Sequence, residues 1–148
     1  MRIMKRNFFI ALSFLFILSN CSLNDNDTND NFEQFTLTWH LISTTGGIAG
    51  INDQFNLDTV VWIFDEPTET LTIENNNTDD TKQDLLDSGT YQFSFVTEGE
   101  DSYIFVNGNE LGEFTISQTN FIIDENNTSE GQLADGFIYT FERVVRSN

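Results

Sequence analysis

The chain has 148 residues, 24 acids against 6 bases, and a formal net charge of −18. So acidic a surface repels phosphate backbones, which excludes nucleic acid as a partner and leaves no general attraction to anionic lipid. A single cysteine excludes an internal disulfide.

Arg2, Lys5 and Arg6 form a basic start, and Phe8 to Leu18 is an almost unbroken apolar run. The run has about the length of a signal-peptide core and falls short of the roughly 20 apolar residues that cross a bilayer. Leu18-Ser19-Asn20-Cys21 follows directly. These four residues resemble a bacterial lipobox, with Asn20 where Gly, Ala or Ser is usual. The resemblance implies cleavage before Cys21, acylation of the Cys21 thiol and of the new amino terminus, and anchorage in a Gram-negative outer membrane. The domain would then hang on the periplasmic face or on the cell surface. Each buried methylene contributes about 0.8 kcal/mol, so three acyl chains make an essentially permanent anchor. Without the leader the charge becomes −21, because the leader holds three bases and no acid.

The expected organisation is a leader at 1–20, a lipidated flexible tether at 21–34 and one β-domain at 35–146. Ser22 to Asn31 is rich in Asn and Asp and nearly free of apolar side chains, so it cannot pack. From Phe35 onward, short β-like runs alternate with turn-rich gaps. Phe35, Leu37, Trp39 and Leu41 share one face of the first run, opposite Thr36, Thr38 and His40. Leu57 to Phe64 is the second strand, with Val60, Trp62 and Phe64 inward, and Pro67 ends it. Leu71 and Ile73 mark a third strand, Tyr91, Phe93 and Phe95 a fourth, and Tyr103 to Val106 a fifth. Asn107-Gly108 predicts a two-residue hairpin, since both turn positions need positive φ. A sixth strand carries Phe114 and Ile116, a seventh Phe121 and Ile123, and an eighth Phe137, Tyr139, Phe141 and Arg143. No long segment has a helical apolar period. Thr81 to Leu86, inside the polar gap from Glu74 to Ser88, is the one place for a helical turn. The fold class is therefore all-β: an antiparallel meander that either closes, which alone removes exposed edges, or folds into a β-sandwich.

Trp39 on the opening strand and Arg143 on the closing strand resemble the pattern of a lipocalin-like barrel, as found in small lipoproteins of Gram-negative bacteria. The resemblance implies a single eight-stranded antiparallel up-and-down barrel. Arg143 would stack over the Trp39 indole at its closed end, and the loop after the first strand would lie across its mouth. Leu37 stands where the family has Gly. Gly47, Ile48 and Ile51 are thus the candidate lid. The inward aromatics Trp62, Tyr91, Phe93, Phe95, Phe137, Tyr139 and Phe141 are the candidate pocket lining, suited to a small apolar or planar guest. An eight-stranded barrel is only just wide enough to fill itself or hold one small ligand. A packed barrel without a cavity, working as an interaction or scaffold lipoprotein, is the alternative.

Catalysis has little to work with. His40, the only histidine, alternates away from Trp39 and is expected on the outer surface, and without it acid–base and nucleophilic triads lack a base. The glycine-rich Gly46 to Ile51 lacks the helix and Lys of a phosphate cradle. The acidic stretches Asn75 to Asp87 and Asp124 to Asp135 carry oxygen ligands but not the alternating spacing of a calcium loop, so solvated loops are expected. The expectation is a non-enzymatic binding protein with no cofactor and no metal. Its partners would be the membrane, through Cys21, and a small lipophilic molecule; the sequence names no protein partner.

Overall fold

The computed structural model describes residues 35–147, with side chains for 36–146; the leader, Cys21 and the tether lie outside the described residues. Apolar and β-branched side chains alternate from the first described residue, and the backbone follows that alternation into eleven strands. These are β1 (Phe35–Gly46), β2 (Ile51–Gln54), β3 (Val60–Asp65), β4 (Thr70–Asn75), β5 (Gly89–Glu98), β6 (Asp101–Val106), β7 (Asn109–Ile116), β8 (Asn120–Asp124), β9 (Asn127–Thr128), β10 (Gly131–Gln132) and β11 (Phe137–Ser147). Pro67 lies in a single 3-10 turn, Glu66–Thr68, that reverses the chain between β3 and β4.

The strands pair in the order β11-β8-β7-β6-β5-β4-β3-β1, and β1 then pairs with β11. The result is a closed, eight-stranded, antiparallel barrel, and the β-sandwich alternative is set aside. β2 adds no ninth position to the ring. It pairs with Ser43 to Gly46 of β1 on the edge where β3 pairs with Trp39 and His40. The expected second strand, Leu57 to Phe64, begins instead at Val60, and Phe55 to Thr59 loops out between β2 and β3.

Antiparallel alternation sets the two ends. At one, β1 begins and β11 finishes, with Phe35 opposite Ser147; the turns β3–β4, β5–β6 and β7–β8 lie there too. At the other, which we term the mouth, lie the Gly47 to Gly50 flap, the loop from Asn76 to Ser88, the Asn107-Gly108 hairpin and the segment from Glu125 to Gly136. The hairpin has positive φ at both residues, 50° and 77°, as its sequence requires. The expected helical turn in Thr81 to Leu86 does not form. Asn77 and Asp79 bond backbone amides two residues on, capping turns that compete with helix.

The interior is aromatic and filled. Trp62, Phe121 and Phe141 are fully buried together with Leu41, Leu71, Ile104 and Ile123. The Trp62 and Phe141 rings lie 4.9 Å apart, Phe121 and Phe141 5.5 Å, and Phe64 and Phe121 5.7 Å at near right angles. Tilted and edge-on ring contacts at these separations add to the burial itself. Gly112 lets β7 run close against β8: at φ 132°, a Cβ there would stand 2.3 Å from the Asp124 carbonyl oxygen. It lies beside the register slip between Ile104 and Phe105, where the ring bends.

Phe121 touches the rings of Trp39, Phe64, Phe114 and Phe141. Phe121→Ala should therefore lower unfolding free energy by about 3–5 kcal/mol in urea titrations. A loss below about 1 kcal/mol would put this ring outside the core that holds the barrel.

Candidate functional site

The mouth is organised by an irregularity in β1. The register with β11 slips between Leu41 and Ser43, so Ile42 is an extra residue. Leu41 and Thr44 consequently both point inward, which strict alternation would forbid. Thr44 is fully buried and its hydroxyl donates to the Gln83 carbonyl at 2.7 Å. That bond draws the Asn76 to Ser88 loop across the opening, where Leu85 and Leu86 pack on the core. Lys82 holds the same loop from outside, donating to the Gln54 carbonyl at 2.6 Å with its ammonium 5.2 Å from the centre of the Phe55 ring. The plug over the barrel is this polar loop, expected from the sequence only as a solvated one.

The flap named as a candidate lid lies beside the plug. Gly47, Ile48, Ala49 and Ile51 line a cleft of about 340 Å³ with Gln83, Asp135 and Phe137. Gly47 has φ 68° and lies under the Phe137 ring, so close that a Cβ would come within 2.6 Å of it. Only glycine allows this contact. Ile48 is 88% exposed. Across the Asp135 to Phe137 ridge, a wider groove of about 460 Å³ runs along Glu110, Leu111, Glu125, Thr128 and Leu133. Its two glutamates are engaged. Ser129 donates through its amide and hydroxyl to the two oxygens of Glu110, and Glu125 accepts from the Phe137 amide and the Tyr139 hydroxyl. Burial, then the Glu125 carboxylate, pushes the Tyr139 phenol far above its ordinary value.

The residues proposed to line one pocket are spread along the barrel axis. Trp62, Phe141, Phe93 and Tyr139 are buried in the packed middle, and the Trp62 Nε1 donor has no partner there. Tyr91 is half-buried near the mouth with its hydroxyl on the Asp87 carbonyl, and Phe137 borders the flap cleft. Phe95 lies at the far end and is partly exposed. Trp39 and Arg143 are register partners across the β1–β11 seam. The Arg143 guanidinium, however, reaches the Gln118 carbonyl at 3.3 Å, and the ring against Trp39 is Phe121 at 5.6 Å.

His40 corrects the sequence reading. It does face away from the barrel axis, but it is 1% exposed. Asp58, in the loop between β2 and β3, has φ 67° and donates its amide to His40 Nδ1 at 3.0 Å. With Nδ1 accepting, the ring proton is on Nε2, which donates to Thr38 Oγ1 at 2.8 Å; that hydroxyl donates in turn to the Val144 carbonyl at 3.2 Å. The Asp58 carboxylate bonds Arg146. A neutral imidazole is thus built into the outside of the closing seam.

Compared with known proteins, the chain matches no family model, no curated protein and no solved structure. Fold and site together define a closed eight-stranded β-barrel protein with a plugged mouth and a small apolar cleft on its rim.

Burial holds the His40 pKa below its ordinary 6.5, against the opposing pull of the Asp58 carboxylate. The unfolded chain then binds the proton more readily than the folded one. His40 therefore contributes stability that is whole above the ordinary value and is lost as pH falls from there through the folded pKa. In urea unfolding between about pH 8 and 5, the wild-type advantage over His40→Gln should shrink with acidification. Parallel pH profiles for the two proteins would remove His40 as the responsible group.

Proposed function

We propose that this chain is an outer-membrane lipoprotein, cleaved before Cys21 and acylated there, carrying a lipocalin-like and non-enzymatic barrel that takes a small apolar molecule at its rim. The observation that carries the binding part is the flap cleft. Apolar Ile48 and Ile51, set among glycines, face Phe137 across about 340 Å³ of space, while the barrel axis is occupied by stacked rings. Gly47 before Ile48 and Gly50 two residues after it let the flap adjust to a guest at small cost in strain. Such a volume suits a ligand at the small end of the usual range. The lipocalin likeness rests on Trp39 opposite Arg143 at the closing seam and on the flap following the first strand. Aromatic filling of the interior favours the second reading, an interaction or scaffold lipoprotein with no ligand.

Two measurements separate these parts. Cys21→Ala should move the protein from the membrane to the soluble fraction; continued sedimentation with membranes would reject lipidation. A neutral solvatochromic dye such as Nile red should bind saturably, one per chain, and Phe137→Ala or Ile48→Asp should weaken it at least several-fold. Absence of saturable binding, with no lipid found in mass spectra of extracts from the purified protein, would leave the scaffold reading.

A further inference from the structure

At the end where both strands of the seam begin and finish, four apolar side chains of the inward face are left open to solvent. Leu37 and Val145, register partners, are 39% and 56% exposed, Ile116 is 55% exposed and Phe95 39%. Leu37, Ile116 and Phe95 continue the inward series of their strands beyond Trp39, Phe114 and Phe93, and Val145 lies on the same face of β11 as Phe141, one inward position past Arg143. Phe95 still stacks on Phe114 at 4.6 Å, so this layer is the open bottom of the core itself. A soluble barrel ordinarily ends such a face in polar side chains; apolar side chains gathered at one surface mark a contact. The mouth, in contrast, is plugged.

We infer that this open end rests on the bilayer surface, with the mouth turned away from it. The inference rests on the anchor at Cys21. β1 starts at this end about 14 residues after that cysteine, a flexible distance of roughly 20 Å and at most about 50 Å. The anchor therefore holds the apolar end near the interface at high effective concentration, and even a weak patch is occupied. Arg143 lies on β11 at the same end, its guanidinium on the Gln118 carbonyl of the β7–β8 turn and within reach of headgroup phosphates, whereas Arg146 is paired with Asp58 and Lys82 is engaged at the mouth. Glu66 and Glu69 flank Phe95 on the opposite side of the ring, so the contact is one-sided and seats on the β1, β7 and β11 quadrant. A second copy is a poor occupant, since two cleaved chains of charge −21 repel. The tether is a poor one too, with Leu23 its single apolar residue between Ser22 and Asn31.

The test uses the lipidated full chain, whose only native thiol is blocked by its own acyl group. Ile116→Cys and, separately, Ile48→Cys are labelled with a polarity-sensitive fluorophore. The proteins are then reconstituted on vesicles of phosphatidylethanolamine with a minor share of phosphatidylglycerol. The label at 116 should shift to the blue on vesicles and be quenched severalfold by brominated acyl chains, while the label at 48 stays aqueous. Floating protein with an aqueous label at 116 overturns the orientation but leaves the anchor standing. Protein that does not float overturns both. A blue-shifted label without vesicles also overturns the inference, in favour of a second copy if the mass is dimeric and of the tether if it is monomeric.

Discussion

The pairing of β1 with β11 is the interaction on which the rest of the molecule depends. It runs from Phe35 opposite Ser147 to Gly46 opposite Phe137, and it removes both edges of the meander at once. Its two faces are built differently. Inside, Trp39 and Phe141 meet Phe121 from β8, so the seam is sealed by stacked rings. Outside, Thr38, His40, Asp58 and Arg146 form a bonded polar layer. Because the ring is closed, inward side chains from all eight positions converge on one axis, and aromatic bulk fills it.

The same seam decides where a ligand could go. One extra residue, Ile42, turns Thr44 inward, and Thr44 fastens the loop that plugs the mouth. With the axis filled and its opening covered, apolar surface survives in the flap cleft beside Phe137, along Leu111 and Leu133 in the neighbouring groove, and at the open end around Ile116. The two ends of the barrel thus differ in chemistry. The polar plug loop closes one end, while exposed apolar side chains beside Arg143 mark a quadrant of the other, with Glu66 and Glu69 on its far side.

The eight ring positions were legible because each strand has one face on the core, which writes a period of two into its apolar residues. Asn107-Gly108 was legible because its turn needs positive φ twice. β2, β9 and β10 were not, since Ile51 to Gln54, Asn127-Thr128 and Gly131-Gln132 are short and mostly polar, and pair without contributing to the core. Alternation also reports which face a side chain takes, but not what covers that face or how deep it lies. His40 was placed outward correctly and then buried by a loop residue 18 positions on. Phe95 was placed inward correctly, yet it lies past the last covered layer. The flap and Phe137 were both marked as site residues; their meeting was not, because it depends on Gly47 passing beneath the ring.

Asp58 shows how narrowly the outer layer of the seam is specified. Its backbone adopts the left-handed region, which Asp tolerates better than most residues, and that conformation aims the amide at His40. Its carboxylate meanwhile meets Arg146, and Glu74 lies 3.9 Å from the same guanidinium. One residue therefore satisfies a neutral imidazole through the main chain and a cation through the side chain. The two demands are separable in kind. The amide bond requires an unprotonated Nδ1, whereas the Arg146 contact is exposed and belongs to the class of ion pairs that contribute little. What the histidine adds to closure is thus mainly the geometry of a buried, fully bonded ring, and the charge beside it fixes the loop that buries it.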